Sequence, residues 1–376
     1  MLVPFVILMA ITKQPSATYV SMGVIIGAIA VAAGGLRVGI IISIVVSLLA
    51  PLAIISGLTP FTGAVLMAVM TLTVGRMSRY GLHRAAMLVP VFLAWPMLSP
   101  VPWVTSKELS TIGDLLKKKH LTLAQAVSVH HTSSSSSSSA AKHLVDQAMI
   151  ALRMDQKYLA WVMAFFFIGG LLASVTMHFL LKKVSLPKPE PHTRAEAMPY
   201  TITITVLATA TTFFFLDHPK DTGGAFMIAT ILVLAQVGYD IQWKPTVARV
   251  ISTLAGIGAL AGVMALVGGN SYVDVFGVPF PLNLYAIGLA FGFGAIVAKF
   301  SPHHWIYYVF ITPATALLNA YTTSNVAQLG RARLADNLIG AALVTLAALI
   351  TLGASKLSQR TGASSNLVAE PLPSLS

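Results

Sequence analysis

The chain has 376 residues, of which 56% are hydrophobic and only 10% charged, and its mean hydropathy is +0.80, whereas soluble domains carry roughly 25% charged residues. This composition belongs to an integral membrane protein, and the absence of strand-type spans of alternating polarity argues against a barrel. The net charge of +12 does not point to nucleic acid, because the cations are scattered through short connections between apolar runs; with no cysteine, disulfides, thiolate metal sites and thiol nucleophiles are excluded.

In chain order, apolar runs predict spans at 1–12, 18–36, 38–56, 60–75, 85–103, 158–181, 199–216, 223–239, 250–268, 282–298, 303–320 and 334–355, about twelve in all. The first twelve residues have neither a basic leader nor a small-residue cleavage site, so they do not resemble a secretory signal peptide. At 1.5 Å per residue they reach only about 18 Å against a hydrocarbon core of roughly 30 Å. The first helix is therefore expected to begin upstream of Met1. Arg37, Arg76, Arg79, Arg84, Lys182, Lys183, Lys188, Arg194, Lys244, Arg249, Lys299, Lys356 and Arg360 all fall on one side of this arrangement, which makes that side and both termini cytoplasmic. The opposite short loops hold Lys13, Lys220, Arg331 and Arg333.

The one long connection, 104–157, is placed outside. It joins short amphipathic pieces to the serine run Ser133–Ser139, a flexible linker. Read as function it is a lid or docking flap; read plainly it is a tolerated surface insertion. His130 and His131 beside the serine run lack the acidic or Cys companions of a metal site.

The two halves repeat. Arg79-Tyr-Gly-Leu-His83-Arg84 corresponds to Lys299-Phe-Ser-Pro-His303-His304, Lys13-Gln-Pro15 to Asp217-His-Pro219, and Arg37 to Arg249. The expected fold is an all-α polytopic membrane protein made of a duplicated six-helix unit. Residues 1–181 form the first repeat, 182–198 a cytoplasmic linker, 199–355 the second repeat and 356–376 a disordered tail. An even number of spans per unit gives a parallel repeat with its pseudo-two-fold along the membrane normal.

Function is sought first where charge meets an apolar span. Arg331, Arg333, Asp336 and Asn337 lie within two turns of the mouth of the last span, and Lys244, Arg249 and Thr253 open another. With Asp336, the residues Asp240, His83, His178 and His303 are the candidates for a carboxylate or histidine whose charge changes inside the protein. Each has a plain reading as well: Asp336 pairs with Arg333 at i,i+3, Asp240 is a solvated helix end, His83 and His303 are boundary turns, and His178 snorkels. Glycine pairs such as Gly23 with Gly27 serve close helix packing. Pro90, Pro96 and Pro313 free carbonyls in equivalent helices, where Trp95, Trp305, Tyr307 and Tyr308 line a pathway or form an interfacial belt. There is no P-loop, no HExxH and no acidic magnesium motif.

The run Arg249, Ser252, Thr253, Gly256 and the run Arg333, Asp336, Gly340 resemble the motifs of the fusaric-acid-resistance-like (FUSC) membrane family, which includes the aromatic acid exporters. The resemblance covers about 199–355 and weakens over 1–181, where Arg37 stands without its Thr and the last-helix motif is reduced to Asp155, Lys157 and Gly169. The soluble domain found between the halves of many exporters is absent. The resemblance implies a bacterial inner-membrane efflux protein without a cofactor, acting on a small-molecule substrate, with homo-oligomer or envelope efflux partners left open. The reading is a secondary, proton-coupled exporter of small organic or aromatic anions or toxic compounds, not an enzyme and not a nucleic-acid binder. The alternative is a non-transporting scaffold recruiting an envelope complex through 104–157.

Overall fold

The computed structural model of the chain describes residues 18–98, 153–182, 191–218, 224–235, 243–267, 273–275, 278–280, 282–298, 304–318, 334–351 and 353. The expected span 1–12, the serine run and its neighbouring histidines, and the tail lie outside these residues.

The helices are α1 (Thr18–Ser56), α2 (Pro60–Ser78), α3 (His83–Ala86), α4 (Leu88–Leu98), α5 (Gln156–Leu180), α6 (Arg194–Asp217), α7 (Gly224–Leu234), α8 (Trp243–Val267), α9 (Leu282–Ala298), α10 (His304–Leu318) and α11 (Leu334–Thr351). Five of them, α1, α2, α5, α6 and α11, are long and apolar enough to cross a bilayer. The all-α expectation gains one exception: between α8 and α9, β1 (Val273–Val275) pairs antiparallel with β2 (Val278–Phe280).

Local chemistry sets the ends. Thr59 caps α2 ahead of Pro60, and Asp155 caps α5. A capping box between Thr193 and Glu196 starts α6 at Arg194, before the apolar run begins. The start of α8 at Trp243 likewise carries Lys244 and Arg249 inside the helix instead of ahead of it. The spans expected at 18–36 and 38–56 are joined into α1, with the break taken up at Gly35, whose φ of 82° suits a residue without a Cβ.

Packing follows glycine. The most extensive helix pair is α1 with α5. There Gly169 lies against the Val20 carbonyl, Gly27 against Gly170, and a Cβ on Gly23 would come 2.6 Å from Phe166 O. With no hydrophobic drive between helices in lipid, such close backbone approach supplies the dispersion that holds them. Helix α2 pairs with α6, α9 with α10, and α8 with α10. The main core centres on Tyr19, Ile26, Ile54, Met67, Leu93, Phe165 and Phe166. A smaller cluster of Phe226, Leu260 and Leu317 meets it through Trp95. The outer faces carry Ile41, Leu48 and Leu52 on α1, Phe61 and Val69 on α2, and Ile202 and Val206 on α6, the apolar exterior that a lipid solvent requires.

Candidate functional site: a buried polar cluster on three helices

Asp336 and Asn337 lie on the first turn of α11, and both are buried. Facing Asn337 are Thr230, in the middle of α7, and Thr253, on α8, both buried as well. The Thr230 hydroxyl donates to Asn337 Oδ1, and it also lies 2.9 Å from the Phe226 carbonyl of its own helix. Asn337 Nδ2 donates to Thr253 Oγ1 at 3.4 Å. One amide thus ties together three helices that are 84 and 107 residues apart in sequence.

The backbone makes room for this contact. A Cβ on Gly340 would stand 3.1 Å from Thr230 Cγ2 and 3.4 Å from the Met227 carbonyl, so α11 reaches α7 closely because that position is glycine. Gly256, one turn beyond Thr253, plays the same part between α8 and α10: a Cβ there would be 2.8 Å from Thr312 Cβ on α10. Burying a carboxylate, an amide and two hydroxyls among apolar helices is costly unless they partner one another or a ligand. The arrangement offers acceptors and donors from three directions and one group able to hold a proton.

Of the residues singled out in the sequence, the structure brings Asn337 to Thr253, with Asp336 buried next to Asn337 in the chain. Arg331, Arg333, Asp240 and His303 lie outside the described residues; Arg249 is on α8, with its side chain outside the description. His83 stands apart from this cluster. It opens α3 and makes edge contacts with His192, at 5.4 Å between ring centroids, and with Tyr200 at 5.9 Å. Burial, then Arg84, then His192 pull its pKa down to about 4. His178 is exposed and touches Phe179.

Two residues were missed. Thr230 gives no sign in the sequence, since a threonine inside an apolar helix ordinarily bonds the carbonyl four residues back. By sequence position Arg153 falls in the long outer connection 104–157. It is buried, and its Nη1 donates to Ile54 O at 2.8 Å and Met97 O at 3.0 Å, the carbonyl ends of α1 and α4. A cation just ahead of the α5 apolar run, as Arg333 stands ahead of α11, was the available signal.

Residues 207–347 match the family described as fusaric acid resistance protein-like. The second half of the chain is FUSC-like. The matched stretch contains Thr230, Thr253, Asp336 and Asn337. No curated protein and no solved structure matches the chain.

Proposed function

We propose that this FUSC-like chain is a secondary exporter of small organic or aromatic anions or toxic compounds, coupled to protons, in the bacterial inner membrane. In this reading about twelve spans form two six-helix units, with both termini in the cytoplasm. The observation that carries it is the buried Asp336–Asn337–Thr230–Thr253 cluster on three helices within the family-matched stretch.

A coupled exporter needs a group that changes protonation inside the protein while substrate is bound or released. Asp336 is buried next to Asn337, whose amide is bonded to the hydroxyls of Thr230 and Thr253. Arg333, three residues earlier, supplies the cation for an anionic substrate, and a passing anion that draws it away from Asp336 favours protonation of the carboxylate. The α7–α11 and α8–α11 contacts are the parts that separate and rejoin.

Asp336→Asn keeps shape and hydrogen bonding but cannot ionise. In everted vesicles loaded by an imposed pH gradient, with a panel of aromatic acids as probes, this variant is expected to insert at parental levels and to lose proton-driven transport. Transport at the parental rate with the parental pH profile would make the residue a structural clamp and refute the coupling role.

A further inference from the structure

The two halves of the chain hold their helices in the same way. In the first, α5 lies between the two arms of α1: Gly169 sits on Val20 O and near Val24 N, while Gly170 faces Ser43. In the second, α11 lies between α7 and α8: Gly340 sits near Met227 O and Thr230, and Asn337 reaches Thr253. Superposing the two glycines aligns Ile168-Gly-Gly-Leu-Leu-Ala-Ser174 with Ile339-Gly-Ala-Ala-Leu-Val-Thr345. The pattern of exposure agrees: Phe167 and Leu338 are 40% and 46% exposed, and Ile168 and Ile339 are 37% and 50%. The second arm of α1 matches α8 as well, with Leu48 and Leu254 both exposed, Ser47 and Thr253 both buried, and Ala50 in the place of Gly256. In this register Arg249 falls opposite Ser43, so Arg37 and Arg249 do not occupy equivalent positions.

From this register we infer that, among the described residues, the polar site of the second half has no counterpart at the equivalent place in the first, because that place is filled. Phe165 and Phe166 stand where Asp336 and Asn337 stand, and Gly23 stands where Thr230 stands. Both phenylalanines are buried, and Phe166 packs on Tyr19 at 5.1 Å between ring centroids. The backbone of Gly23 lies directly on Phe166 O, leaving no space for a side chain like that of Thr230. Arg153 then ties Ile54, near the end of the second arm of α1, to Met97 of α4. The first half is a closed support at that place, and the chain binds a small polar organic molecule through the carboxylate, amide and hydroxyls of the second half. The inference rests on the proposed transport function for what the site holds, but not for its asymmetry.

The chain is free of cysteine, so the asymmetry can be read directly with introduced thiols. Ser47→Cys and Thr253→Cys are near-isosteric changes at matched positions, both 2% exposed. In native membranes containing the full chain, a small cationic methanethiosulfonate reagent is expected to modify Thr253→Cys at least roughly tenfold faster than Ser47→Cys, since a thiol closed within helix packing neither ionises nor meets the reagent. Size-exclusion profiles matching the parent establish that both variants are folded; if either is not, Asn337→Cys and Ser174→Cys take their places with the same expectation. Equal rates, a faster reaction at Ser47→Cys, or no reaction at either would overturn the inference. The readout uses no transported compound, so it stands or falls separately from the Asp336→Asn transport test.

Discussion

Replacing Thr230 with valine removes one hydroxyl from the centre of the polar cluster and little else, so its cost can be worked from the contacts. Valine has nearly the same shape, and no cavity opens. The bond lost is the one donated to Asn337 Oδ1; the Phe226 carbonyl, 2.9 Å from the same hydroxyl, keeps its place in the helix ladder. Among the described residues the other side-chain partner of Asn337 is Thr253 at 3.4 Å, a weak bond by distance. Because Thr230 is fully buried, bulk water does not replace the hydroxyl. An interhelical bond in a membrane interior contributes about 0.6–2 kcal/mol, and a buried amide left short of a partner adds about 1–3 kcal/mol. Thr230→Val is therefore expected to destabilise the chain by about 2–4 kcal/mol. Asn337→Leu removes the other member, and the double variant should cost less than the sum of the two, with a coupling of about 1 kcal/mol. Detergent-titrated unfolding in bicelles, followed by tryptophan fluorescence, measures all four corners of the cycle. Additivity to within about 0.5 kcal/mol would show that the two side chains do not depend on each other and would refute the argument.

Three other outcomes follow from the same structure. Arg153→Met keeps the aliphatic stem but loses the bonds to Ile54 O and Met97 O; it should lower the thermal midpoint of the folded chain by several degrees, with Arg153→Lys falling between, and a parental midpoint for Arg153→Met would show the cation to be idle. His83 has its folded pKa pulled from 6.5 down to about 4, so the unfolded chain binds more protons between those values. Its share of stability is complete above about pH 6.5 and is lost as pH falls toward 4. His83→Gln should flatten that part of the stability-versus-pH curve, and an unchanged curve would contradict the assignment. For topology, an impermeant thiol reagent applied to intact cells should spare single cysteines at Ser78, Ser185 and Ser364 and label those at Ser135 and Ser271; external labelling of Ser185→Cys would overturn the orientation.

The membrane class, the helical nature of the spans and the limits of most of them follow from the sequence alone. The reason is that lipid leaves the backbone no partner but itself, so that composition and run length decide the element. The run 282–298 was bounded in sequence as it is in α9. Where a polar cap extends a helix past its apolar run, as Thr193 and Glu196 do for α6, the hydropathy run is shorter than the helix. Asp336, Asn337 and Thr253 stood out because polar groups are costly in an apolar segment. Which polar groups meet was decided only by tertiary structure. Nothing in the local sequence of α7 distinguishes Thr230 from a threonine bonded to its own helix, and it joins Asn337 because Gly340 lets α11 approach. Arg153 reads as a loop cation until the ends of α1 and α4 converge on it. His83 reads as a solvated turn until His192 and Tyr200, more than a hundred residues later, close over it. Composition is a property of each segment, whereas a hydrogen bond between segments depends on how closely two backbones can approach, and that is set by small residues on both of them at once.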